Sequence, residues 1–148
     1  MRRSLIIAAF LFAAATSWAG IVTQKVSYST DKTKMKGYLA RPVDIAGTLP
    51  AVLIVHEWWG LNDYVMERAD MLAREGYIAL AVDMYGDGRQ AEHPKEAGAF
   101  SKAVFENFGE GQARFNAALD FLRGQPHVDP DNIAAIGYCF GGAVVLNN

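Results

Sequence analysis

The chain has 148 residues, 51% of them hydrophobic and 20% charged, with a formal net charge of −2. That composition allows one globular domain and shows neither a low-complexity tract nor an internal repeat. A mildly acidic chain without a basic patch argues against nucleic acid as a partner.

The first residues read as a targeting segment. A basic start at Arg2 and Arg3 is followed by an apolar run over residues 5–15, and Ser17 and Ala19 place small residues at −3 and −1 before Gly20. This is the pattern of a cleaved secretory signal over residues 1–19 rather than a membrane span, so the mature chain is expected in the periplasm or medium without stable membrane association. Residues 20–148 then form the domain. A single cysteine, Cys139, cannot form an internal disulfide. It is a buried small hydrophobe, an intermolecular partner or a free reactive thiol.

After the signal, residues 21–28 and 35–41 read as two short strands joined by a hairpin at Asp31 and Lys32, an antiparallel edge. Residues 51–56 form a continuous apolar run of strand length, which suits a central strand buried on both faces. A helix follows, with Asn62 as N-cap, an inward face of Val65, Ala69, Leu72 and Ala73, and Gly76 as its stop. The run over residues 77–82 completes a βαβ unit. Residues 95–108 and 112–123 are helical by pattern, with Gly109 and Gly111 expected to part them. A last strand is expected from Ile133. Alternating strands and helices define an α/β class with a mostly parallel sheet flanked by helices.

That last strand runs into Gly137-Tyr138-Cys139-Phe140-Gly141-Gly142 and then an apolar helical start. This is the layout of a nucleophile elbow with cysteine in the usual place of serine. Ligand sites in parallel sheets form beyond the carboxyl ends of the strands, so three strand-end segments should meet at one rim: His56-Glu57-Trp58-Trp59-Gly60, Asp83-Met84-Tyr85-Gly86 and the elbow. A thiol reacts as the thiolate, which a helix N-terminus favours. The N–H groups of Phe140 and Trp58 are where an oxyanion hole is expected. Tyr85, Trp59 and Tyr138 are candidate walls of a substrate pocket, or packing residues. Glu57 and Asp83 also have plain readings as a helix-start carboxylate and a loop-capping acid. The three histidines show no paired ligand spacing, so neither a metal nor a cofactor is expected.

Taken in order, the H-E-x-x-G segment at His56, the D-M-Y-G segment at Asp83 and the cysteine elbow resemble the dienelactone hydrolase family of the α/β-hydrolase fold. The resemblance covers nearly all of the chain after the signal. It implies hydrolysis of a small-molecule ester or lactone by a Cys-His-Asp triad, with Cys139 as nucleophile and Glu57 as the glutamate that contacts the resting thiol. The triad Asp and His of the family lie C-terminal to the nucleophile, so this chain is expected to be truncated after the elbow and inactive as it stands. Where dienelactone-cleaving members carry an arginine this chain has Asp87, with Arg89 two residues on, which argues against a carboxylated dienelactone. The alternative is a noncatalytic binding or interaction module on an incomplete scaffold.

Overall fold

A computed structural model describes residues 20–148; the expected signal lies outside them. A five-stranded sheet in the order β1-β2-β4-β3-β5 organises the chain. Its first two strands, β1 (Ile21–Ser29) and β2 (Lys34–Pro42), are the expected antiparallel hairpin. Thr30 closes the turn, its Oγ1 accepting from the N–H groups of Lys32 and Thr33 at 3.2 and 3.0 Å.

The strands β3 (Leu49–Val55), β4 (Ile78–Val82) and β5 (Val128–Gly137) are mutually parallel, with β3 between the other two. Their apolar runs lack alternation because both faces are covered. On one face Leu53, Val55, Ile78, Leu80 and Val82 pack against α3 (Phe108–Arg123) and α4 (Phe140–Leu146) through Phe115, Leu122 and Val144. On the other, Val52, Ile54, Ala79 and Ala81 meet Val65, Ala69 and Ala73 of α1 (Asp63–Arg74). Small residues on both sides of this second interface let the helix lie close to the sheet. The Asn62 side chain accepts from the Val65 N–H at 3.3 Å as the expected N-cap, and Gly76 turns the chain out of the helix at a left-handed φ of 95°.

Two boundaries differ from expectation. The break between α2 (Pro94–Glu106) and α3 falls at Asn107, and Gly109 and Gly111 lie inside α3. The Asn107 carbonyl accepts from the N–H groups of Glu110 and Gly111, both at 3.0 Å, and so starts the second helix. Gly111 serves helix packing instead: a Cβ there would stand 3.0 Å from Val104 of α2. The last strand begins at Val128 rather than Ile133, because Leu49 pairs with Val128 before a register shift brings Ala51 opposite Ile133. No helix among the described residues is long and apolar enough to cross a membrane.

The chain crosses from β3 to β4 over one face and from β4 to β5 over the other. The order therefore reverses at β3, and such a switch point opens a crevice at the strands' carboxyl ends. The segments after Val55, Val82 and Gly137 all end there.

Candidate active site

Cys139 sits between β5 and α4 with φ 53° and ψ −113°, and it is exposed. A residue other than glycine in this region stores about 1–3 kcal/mol of strain, which the surrounding packing must hold. Gly137 and Gly141 supply that packing. A Cβ on Gly137 would lie 2.6 Å from the Gly142 nitrogen, and one on Gly141 would lie 2.6 Å from the His56 carbonyl oxygen. The elbow thus rests directly on the end of β3, where the Tyr138 N–H also donates to the Val55 carbonyl at 3.3 Å.

His56 follows β3 and is fully buried. Its Nδ1 lies 2.5 Å from the Glu57 carbonyl, and its Nε2 accepts from the Met84 N–H at 3.2 Å, so the ring is a neutral imidazole carrying its proton on Nδ1. Burial depresses its pKa to about 4, against smaller opposing contributions from the Glu57 carbonyl and Asp83. The ring stacks on Phe140 at 5.7 Å and meets Tyr85 edge-on at 4.7 Å. It joins the three strand ends and has no nitrogen left for chemistry.

Asp83 is fully buried and caps its own loop. Oδ1 accepts from the N–H groups of Tyr85 and Gly86, at 3.0 and 2.8 Å, and Oδ2 from those of Gly88 and Lys36, at 2.7 and 3.1 Å. Four such bonds satisfy a buried carboxylate without a cation. The plain reading of Asp83 is therefore the one its contacts support.

The loop after β3 carries Glu57, Trp58 and Trp59, all partly buried. Neither the Trp58 N–H nor the Phe140 N–H has a hydrogen-bond partner among the described residues. Both remain available as donors. The two tryptophan rings pack edge-on at 5.3 Å. Tyr138 lies on the α1 side, edge-on to Tyr64 at 6.0 Å and 5.9 Å from the Arg68 guanidinium. Tyr85 is only 1% exposed. Its hydroxyl donates to the Trp58 carbonyl at 2.9 Å, and burial, reinforced by charge at Cys139, pushes its pKa up, which keeps it a donor. Arg89 donates to the carbonyls of Tyr85 and Gly86 and lies 5.2 Å over the Phe100 ring, beside a cavity of about 220 Å³ that Tyr85 also borders.

Several supporting residues carry no local signal in the sequence. The Tyr28 hydroxyl accepts from the Asp83 N–H at 3.1 Å. Arg114 of α3 binds the Met84 carbonyl at 2.9 Å, Thr33 at 3.1 Å and Glu110 at 3.2 Å, tying the hairpin turn to the loop after β4. Burial raises the Glu110 carboxyl, but hydrogen bonds from Thr33, Arg114 and Thr30 outweigh it and hold its pKa below the usual value. Among the described residues no group of three or more His, Cys, Asp or Glu could hold a metal ion.

The crossed parallel sheet and the strained strand-to-helix turn define an α/β-hydrolase fold. Comparison with known proteins narrows this. The sequence profile of the dienelactone hydrolase family matches residues 35–148. Protein usf of Aquifex pyrophilus is 35% identical over 127 residues, which are 83% of this chain and 53% of that protein. A carboxymethylenebutenolidase of a Pseudomonas species is 32% identical over 104 residues, 66% of this chain and 43% of that protein. Among solved structures, m3DLH superposes with a TM-score of 0.83 at 38% identity, and a dienelactone hydrolase-like promiscuous phosphotriesterase from metagenomic libraries with 0.81 at 37%; each covers 86% of this chain and 53% of the other. The chain belongs to the dienelactone hydrolase family. It spans about half the length of the relatives it matches.

Proposed function

We propose that this chain is part of an exported hydrolase that opens a small ester or lactone by acyl transfer to Cys139. The observation that carries the reading is the elbow itself: an exposed thiol in strained backbone, with Gly141 set against the end of β3 and Gly137 against the elbow's own Gly141 and Gly142, and with the unpaired N–H groups of Trp58 and Phe140 on the adjoining turns. In this reading the Glu57 carboxylate takes the thiol proton, and the Cys139 thiolate adds to the carbonyl carbon. The carbonyl oxygen takes the negative charge and receives the two N–H groups. Collapse then breaks the bond to the leaving oxygen, which takes up a proton from water, and leaves a thioester on Cys139.

Clearing that thioester needs water and a base. His56 has both nitrogens engaged, His93 caps α2, and His127 hydrogen-bonds the Gly47 carbonyl at the far end of β5. The histidines thus supply no base and Glu57 already holds the thiol proton, so the 148-residue chain is expected to acylate and then stall. With p-nitrophenyl acetate it should release a burst of nitrophenol stoichiometric with protein, followed by little turnover. Glu57→Gln should slow the burst and Cys139→Ala should remove it. Equal release by wild type and Cys139→Ala would overturn the reading. That result would favour a noncatalytic interaction module, to which the outer edge of β5, unpaired among the described residues, offers a strand.

Export rests on residues 1–19 alone. Protein recovered from the periplasm or medium is expected to begin at Gly20; an exported form retaining Met1 would overturn the cleavage, and protein found only in the cytoplasm would overturn export.

A further inference from the structure

The loop after β3 is held at successive carbonyls. That of Glu57 faces His56 Nδ1, that of Trp58 accepts from the Tyr85 hydroxyl, that of Trp59 from the Ala91 N–H at 2.9 Å, and that of Leu61 from Gln90 Nε2 at 2.5 Å. Gly60 and Gln90 add an isolated bridge between the same two loops. Three of these four ties come from the loop that follows β4, and the tie at Trp58 is a side chain. The Tyr85 ring is itself fixed by His56, Phe100 and Phe140, at centroid distances of 4.7, 5.4 and 5.5 Å. The Trp58 N–H shares its planar peptide with the Glu57 carbonyl, which faces His56 Nδ1, and the Tyr85 hydroxyl holds the next peptide plane at the Trp58 carbonyl. The two planes that meet at the Trp58 Cα are thus both anchored, and its φ and ψ, and with them the N–H direction, are restricted.

We propose that Tyr85 is a positioning residue that acts through the Trp58 carbonyl to aim the Trp58 N–H at the oxyanion, rather than a wall that touches substrate. The proposal rests on the reading of Cys139 as acyl acceptor. A phenol that only stabilised the fold would leave the chemistry at Cys139 unaltered, and two reactions of the same thiolate separate the cases. Acylation by p-nitrophenyl acetate places negative charge on an oxygen. Alkylation by iodoacetamide displaces iodide at a saturated carbon and places none. The ratio of the two rates cancels thiolate population and access, and reads the oxyanion donors.

Removing an oxyanion donor costs about 100-fold or more, so a donor present but no longer aimed should lose part of that, about tenfold. Tyr85→Phe is thus expected to lower the acylation-to-alkylation ratio about tenfold while alkylation stays within about twofold of wild type. Tyr85→Met, which also fills the site without a hydroxyl, should show the same fall and serves if the phenylalanine variant does not fold. Tyr38→Phe is the control. It removes a phenol that donates to Asp70 at 2.8 Å on the opposite face of the sheet, and its ratio should match wild type. A folded Tyr85 variant with the wild-type ratio would overturn the proposal. A wild-type chain that alkylates but does not acylate would instead overturn the reading of Cys139, and this proposal with it.

Discussion

Gly141→Ala is expected to destabilise the chain by about 3 kcal/mol or more and to displace the Cys139 thiol. The added Cβ would stand 2.6 Å from the His56 carbonyl oxygen and closer still to that of Val55. Both atoms belong to the backbone at the end of β3, a strand paired on both sides, so neither can retreat without disturbing the sheet. Urea midpoints of wild type and variant measure the loss, and a slower reaction of Cys139 with iodoacetamide reports the displacement. Gly98 is the internal contrast. It lies inside α2, and a Cβ added there would meet no atom within 4 Å, so Gly98→Ala should be neutral or stabilise by up to about 1 kcal/mol through helix propensity. Similar effects from both substitutions would contradict the account of the elbow.

Stability is expected to fall by about 3 kcal/mol between pH 6.5 and pH 4 on account of His56 alone. The folded pKa is depressed to about 4 from an ordinary 6.5, so the buried ring stays neutral where the unfolded chain already binds a proton. Proton uptake by the unfolded state pulls the equilibrium toward it as the pH drops through that window, and the effect levels off below about pH 4, where both states are protonated. Other groups titrate in the same range, including Glu110, whose lowered pKa contributes stability that is lost as the pH falls through it. The His56→Gln variant separates them. Its urea midpoint should be lower at neutral pH, because the ring's packing on Tyr85 and Phe140 is lost, yet should depend less on pH than that of wild type. Parallel pH profiles for the two proteins would show that His56 is not the group responsible.

Much of the fold is legible in the residue pattern, because runs such as residues 51–56 and 77–82, apolar without alternation, need a sheet covered on both faces. The elbow is legible for a similar reason: glycine spacing around Cys139 reports a close backbone approach, and Gly141 makes it. Gly111 shows the limit of that logic. Glycine marks close approach as well as chain breaks, and only the neighbouring Val104 decides which. Asp83 could be read as site acid or loop cap because its four donors include Lys36, 47 residues away, which no local pattern announces. Tyr28 and Arg114 escape the sequence for the same reason, since their partners Asp83 and Met84 come to them only through sheet pairing and the packing of α3. Tyr85 is visible as an aromatic at a strand end, but the direction of its hydroxyl, toward a backbone carbonyl rather than open space, is a property of the folded chain.

The central claim is that Cys139 accepts the acyl group of an ester, and peptide mapping by mass spectrometry after acid quench tests it most directly. Wild-type chain mixed briefly with p-nitrophenyl acetate should carry one acetyl group, located on the peptide containing Cys139 and removed by neutral hydroxylamine as a thioester is. Acetyl groups found only on lysine or tyrosine side chains, or present to the same extent in Cys139→Ala, would contradict it.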